Sequence, residues 1–181
     1  MKSCLLLVDL QNDYFPGGAM ELVGTIEAAT KARLLLDQFR RARGSIIHIQ
    51  HLAARPEATF FLPGTDGAII HPLVAPRDEE TVVVKNSPNS FRGTPLLELL
   101  KEEGIDHLTI CGAMSHMCID ATVRAAFDFG FHCTVAEDAC ATRDLSFQGR
   151  TVQAAEVHAA FMAALAVPYA QILSTAALIA S

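Results

Sequence analysis

The chain has 181 residues, 51% of them hydrophobic and 19% charged, with a formal net charge of −6. That length supports one domain, residues 1–181, with a sizeable core, and that composition excludes a disordered chain. The acidic balance, with no basic run longer than Arg40-Arg41, argues against phosphate-backbone binding, so no nucleic-acid partner is expected.

In chain order, the first apolar run, Leu5-Leu6-Leu7-Val8, stops at Asp9. It reads as a buried strand, too short for a signal-peptide core or a bilayer span, and no membrane partner is expected. Thr25 is placed to cap a helix over residues 25–43, ended by Gly44. A second strand is predicted over 45–51 and a third over 81–84, ending at Lys85. Between them lies a long irregular stretch, 52–80, punctuated by Pro56, Pro63, Gly64, Gly67, Pro72 and Pro76. A loop of that length inside a compact domain is usually functional, as a lid or a pocket wall. Thr94 and Pro95 open a helix that Gly104 closes. Strand four covers 107–112, a helix 119–129, strand five 131–137, a helix 148–166, and a short sixth strand 170–173.

Such alternation predicts an α/β domain: a mainly parallel sheet covered by helices on both faces. Open sheets of this kind bind ligands at the carboxyl ends of their strands. Asp9, Lys85 and Cys118 all fall at such ends. An acid, an amine and a thiol there make a covalent-catalysis site plausible. Each has an ordinary alternative: Asp9 as a loop cap, Lys85 as an amine emerging into solvent, Cys118 as a small buried hydrophobe. Cys118 lies between a strand and a helix, where backbone N–H groups and the helix dipole favour a thiolate.

The other cysteines, Cys4, Cys111, Cys133 and Cys140, read as buried packing. An odd number of scattered cysteines without a secretion signal predicts reduced thiols and a cytoplasmic location. The sequence lacks G-x-S-x-G, G-x-G-x-x-G, a P-loop and H-E-x-x-H, so serine-hydrolase, dinucleotide, phosphate-loop and zincin readings have no support. His48 and His51, three apart on a strand, point to opposite faces and form no metal pair. Phe15, Phe61 and Phe91, and His71 in the long loop, are candidate pocket residues; Phe60 belongs with them.

Three segments then carry a resemblance: Asp9-Leu-Gln-Asn-Asp13-Tyr-Phe-Pro-Gly-Gly, Val-Val-Lys85, and Cys111-Gly-Ala-Met-Ser-His-Met-Cys118. In this order and spacing they resemble the isochorismatase-like cysteine hydrolases, which include nicotinamidases and N-carbamoylsarcosine amidases. The resemblance implies a three-layer Rossmann-like fold with six strands in the order 3-2-1-4-5-6. It implies a triad of Asp9, Lys85 and Cys118, and a cis peptide before Met114 that turns the N–H groups of Met114 and Cys118 into an oxyanion hole. It implies a small-molecule amide substrate, no organic cofactor and a homo-oligomer, which the alanine-rich helix 151–166 and the apolar tail 176–180 also favour. Metal-dependent nicotinamidases carry Asp-x-His after strand 2; the matching positions here are His51 and Ala53, so no metal is expected. Cys118 favours C–N hydrolysis over cleavage of an isochorismate-type vinyl ether, for which Arg55, Arg77 and Arg92 could supply charge. A non-catalytic Rossmann-like binding module is the third reading. In the implied strand order, strand 3 lies about 10 Å from strand 1, so Lys85 must reach inward.

Overall fold

The computed structural model describes residues 2–180. Five of its strands enter in chain order as β1 (Ser3–Val8), β2 (Ser45–His51), β3 (Thr81–Lys85), β4 (His107–Ala113) and β5 (His132–Ala141). A two-stranded antiparallel hairpin, β6 (Leu145–Phe147) and β7 (Arg150–Val152), comes next, and β8 (Gln171–Leu173) closes the main sheet. That sheet is parallel with the order β3-β2-β1-β4-β5-β8. The order is the implied 3-2-1-4-5-6, with β8 as the sixth strand. The helices are α1 (Thr25–Ala42), α2 (Leu96–Glu102), α3 (Asp120–Asp128), α4 (Ala154–Leu165) and α5 (Thr175–Ala180).

The central strand explains the layers. Alternate residues of β1 face opposite sides, and both sides are buried, which is why it reads as an unbroken apolar run. Leu6 and Val8 join Ile47, Ile49 and Ile110 under α2, α3 and α4, through Leu96, Leu100, Val123 and Leu165. Leu5 and Leu7 face the other way, onto Ala32, Leu35 and Leu36 of α1, with α5 beside it. In α1 the spacing of Ala28, Ala29, Ala32, Leu35 and Leu36 marks one helical stripe. Its end is tied by Gly44 N–H to the Phe39 carbonyl at 2.8 Å.

Several predicted boundaries move. Thr25 does not cap α1: Gly24 occupies the cap in a left-handed conformation, and the Thr25 hydroxyl donates to the carbonyls of Tyr14 and Leu22. The helix expected from residue 148 starts at Ala154, because Gln148 and Gly149 both take positive φ (50° and 76°) and turn the chain into the β6–β7 hairpin. Two consecutive left-handed residues are what a two-residue hairpin turn requires. Gln153 then caps α4 with Glu156 in a capping box. Strand β5 runs to Ala141 rather than residue 137, after a register shift opposite Ile110 and Gly112. The apolar tail folds as α5, its start fixed by Asp138 accepting from Thr175 N–H and Oγ1 at 2.7 Å each.

Candidate active site

Asp9 lies directly after β1 and sits at φ 53°, a left-handed conformation uncommon for a residue with a side chain, held by its N–H donating to the Ile49 carbonyl at 3.0 Å. Across the β1–β4 pair, Gly112 opposes Val8. Its φ is 126°, and a Cβ there would run into the Val8 carbonyl. The ends of the two central strands therefore approach more closely than side chains allow. Asp9, just past one strand end, and the loop to Cys118, just past the other, meet at one point.

Beyond β4 the Ala113–Met114 peptide is cis. One π turn, Ser115–Ile119, comes before α3, so Cys118 sits inside that turn rather than at a plain helix start. The Met114 carbonyl accepts from Met117 (3.0 Å) and Ile119 (3.2 Å), bypassing the Cys118 amide between them. Two side-chain contacts pin the turn to its surroundings: Ser115 Oγ lies 2.9 Å from His158 Nδ1 on α4, and His116 Nδ1 lies 2.6 Å from Thr142 Oγ1.

Lys85 reaches Asp9 past the end of β2. Its Nζ is 2.8 Å from Asp9 Oδ2, and both side chains are fully buried. It also donates to His51 Nδ1 (3.2 Å) and to the carbonyls of Ser87 (3.0 Å) and Pro88 (3.3 Å). The Lys85–Asp9 contact is an ion pair; neither Asp9 oxygen accepts an aligned hydrogen bond from a described residue. Burial opposes the Lys85 charge, but Asp9 and Cys118 outweigh it and hold the ammonium above the ordinary lysine range.

Cys118 behaves differently from the expectation for a thiol beside a helix. It is 1% exposed. Burial first, then the Asp9 carboxylate, push its pKa well up, against the pull of Lys85. The physical reason is charge balance: Lys85 already neutralises Asp9, so a thiolate would add an uncompensated buried charge.

His51, which the resemblance matches to the first position of the Asp-x-His motif but gives no role here, joins the site. At the carboxyl end of β2, it has Nδ1 3.8 Å from Asp9 Oδ2. Asp9, His51 and Cys118 offer ligand atoms within 4.8 Å of one another. Lys85 already places a positive charge against both Asp9 and His51, so this group fits an ammonium rather than a metal ion. Ala53 offers no ligand atom. His48, as the alternation predicts, faces elsewhere: it is buried against Glu80, its Nε2 2.9 Å from Oε2.

A cavity of about 450 Å³ opens over Cys118. Its wall includes Tyr14, His51, Ala53, Phe60, Phe61, Pro88 and Met117, so the start of the long loop is a pocket wall. Of the five pocket candidates, Phe60 and Phe61 line it. Phe15 and His71 stack on each other at 3.6 Å, and His71 Nδ1 accepts from Leu73 N–H. Phe91 packs against Phe131 in the core and against the exposed Phe129 at its edge. A larger hollow, about 670 Å³, lies at the other end of the sheet among His107, His132 and Tyr169, away from the three strand-end residues.

Phe61 is placed by Asp13. Its N–H donates to Asp13 Oδ2 at 2.6 Å, Ala19 N–H donates to Oδ1, and a Cβ on Gly67 would strike the same carboxylate. Gln11 ties the other side of the loop, donating to the carbonyls of His51 and Ala68 and accepting from His51 N–H.

Comparison with known proteins gives a consistent result. A family model described as isochorismatase domain matches residues 3–177. An uncharacterised isochorismatase family protein of Bacillus subtilis, YddQ, is 49% identical over 98% of each chain. A streptothricin hydrolase of Streptomyces noursei is 36% identical over 78% of this chain and 50% of its own length. The crystal structure of an isochorismatase hydrolase from Oleispira antarctica superposes with a TM-score of 0.96 at 52% identity, covering 99% of this chain and 97% of the other.

Proposed function

The chain belongs to the isochorismatase family of hydrolases, and from that premise we propose that it is a cysteine hydrolase cleaving the C–N bond of a small amide or ureide through a thioester. The observation that carries this reading is the Asp9–Lys85 ion pair, closed at 2.8 Å, beside Cys118 on the wall of a cavity.

The charge balance dictates the order of events. Moving the Cys118 proton to Asp9 leaves a thiolate, a neutral carboxyl and the Lys85 ammonium, so the buried site keeps its net charge. Lys85 exchanges one negative partner for another without moving far. The thiolate attacks the carbonyl carbon, and the oxyanion is received by the N–H groups of Met114 and Cys118. One such donor is worth roughly 10²–10³ in rate in related acyl-transfer sites. Asp9 returns its proton to the leaving nitrogen as the C–N bond breaks, giving the free amine and a thioester. Water then attacks the thioester; Asp9 accepts its proton and passes it to the departing sulfur, releasing the acid.

The vinyl-ether reading asks for a dianionic substrate and several cations. Of the three arginines in question, Arg55 is the one on the cavity wall, and it is exposed beside Glu57. Arg77 belongs to a hollow at the opposite end of the sheet, and Arg92 lines neither. This distribution favours a substrate with little charge. The exposed small apolar face of α4, continued by Val167, supports assembly as a homo-oligomer, which the mass in solution tests.

The decisive measurement is ammonia or amine release from a panel of small amides and ureides by wild type and Cys118→Ala. Hydrolysis by wild type alone, with an acyl-enzyme mass on Cys118, is expected. Activity that survives in Cys118→Ala overturns the thioester route.

A further inference from the structure

The proposed chemistry employs a carboxylate, an ammonium and a thiol, and among the polar groups of the cavity wall that it leaves unused two belong to rings packed on Phe61. The first is on His51. The Lys85 ammonium can only donate, so the Nδ1 it meets at 3.2 Å carries the lone pair, and the proton of the neutral ring sits on Nε2. His51 Nε2 has no hydrogen-bond partner among the described residues. The second is the hydroxyl of Tyr14, a residue 1% exposed, which also has none.

Both residues line the cavity that contains Cys118, and both rings pack on Phe61, with centroids 5.8 Å and 4.5 Å away. Ala53, Phe60, Phe61 and Met117 form the apolar part of that wall, and Arg55, Glu57, Thr59, Asn86 and Ser87 its polar part. Lys85 cannot serve a ligand in their place, since its three N–H bonds are engaged by His51 Nδ1 and the carbonyls of Ser87 and Pro88, and its charge by Asp9. A donor on a partly enclosed wall is left without a partner when a ligand displaces water and offers it none, and these two residues line the space where a ligand would sit.

We propose that His51 Nε2–H, together with the Tyr14 hydroxyl, binds a hydrogen-bond acceptor on the acyl side of the substrate, a second carbonyl or ureido oxygen. The preferred substrates are then small uncharged amides that carry such an acceptor beside the scissile bond. This rests on the amidase reading for the identity of the bond, but the binding contact can be read without turnover. His51 is a specificity residue in this assignment: it touches substrate and takes no proton. A site built to hydrogen-bond a substrate group discriminates strongly against an isostere that lacks it, because the site's own donor is left unpaired.

The test uses two isosteric pairs, acetoacetamide against isovaleramide and pyruvamide against isobutyramide, in which a ketone oxygen is replaced by a methyl group. Each is measured by its protection of Cys118 from iodoacetamide at alkaline pH, with the labelled peptide read by mass spectrometry. In wild type, the keto amide of at least one pair protects at a concentration at least about tenfold below its isostere. His51→Asn keeps an acceptor for Lys85 but places nothing at Nε2, and the preference disappears. His51→Gln puts an amide N–H near the Nε2 position and restores part of it, which a merely structural role for the ring would not produce. Equal protection in both pairs, no protection by any of the four, or a preference that survives in His51→Asn overturns the assignment. Hydrolysis of the same amides is followed in parallel. Selective protection without hydrolysis counts against the amidase reading and leaves His51 in place; hydrolysis without selectivity does the reverse.

Discussion

Lys85 brings its ammonium 2.8 Å from Asp9 although β3 and β1 are not neighbours; β2 lies between them, and the lysine side chain passes its end at His51. The pair is fully buried, so each member is the other's main compensation for lost hydration. Removing one leaves the other exposed to the full cost of burial. Asp9→Asn is expected to abolish hydrolysis and to destabilise the fold by about 3–5 kcal/mol, the usual penalty for orphaning a buried charge. Asp9→Asn combined with Lys85→Met recovers most of that stability and none of the activity. Urea unfolding of the three variants checks it; a double variant no more stable than Asp9→Asn would show that the pair is not coupled.

The raised pKa of the Cys118 thiol gives a prediction of opposite sign for two readouts. Because the Asp9 charge contributes to that rise, Asp9→Asn lowers the thiol's pKa and leaves Lys85 free to pair with the thiolate. Alkylation of Cys118 by iodoacetamide near pH 8 is therefore expected to be faster in Asp9→Asn than in wild type, while hydrolysis is lost. Slower alkylation in the variant would mean that Asp9 activates the resting thiol.

Glu80 sets part of the acid limit of the fold. Burial works to raise its pKa, but two hydrogen bonds from Arg40 (2.6 and 2.8 Å), the Arg77 N–H and His48 overcome this and lower it from 4.5 to about 2. A depressed carboxyl pKa contributes stability that is complete above the unfolded value and is lost as pH falls through the folded one. Stability from this source should decline between about pH 4.5 and pH 2. Glu80→Gln removes that part of the acid slope and, by orphaning Arg40, costs about 3–5 kcal/mol at neutral pH. Chemical denaturation at several pH values measures both.

Gly112→Ala tests the close approach of β1 and β4. The substitution combines a positive φ with a collision against the Val8 backbone, so neither side can relax by rotating a side chain. A loss of more than about 2 kcal/mol is expected. Alkylation kinetics of Cys118 should change as well, since the thiol's loop starts two residues later, at Met114.

The parts of this arrangement visible in the sequence are those encoded by residue type at strand ends. Apolar runs that stop at Asp9 and Lys85 announce both the strands and the charged groups beyond them, and the sheet order comes from the family resemblance. The hidden parts depend on distance across the fold. His51 looks isolated in the sequence because its partner is a lysine 34 positions away whose side chain must first pass β2. Cys118 looks like an activated thiolate because position tells of the helix but not of the Asp9 carboxylate beside it. The β6–β7 hairpin is hidden because Gln148 gives no hint that it will adopt φ 50°. Phe91 and Phe15 resemble Phe61 in sequence, and only packing separates core from cavity wall.

Asp13 ties two functions of the chain to a single segment. The stretch that supplies Asp9 also supplies, four residues further on, the carboxylate that holds Phe61, so reacting group and far wall are set from one rigid base. Residues 54–59 span between fixed points, and their tip, with Arg55 and Glu57, stands in solvent. That span lines the cavity without carrying Asp9, Lys85 or Cys118, which makes it the natural segment to randomise when changing which small molecules the cavity accepts.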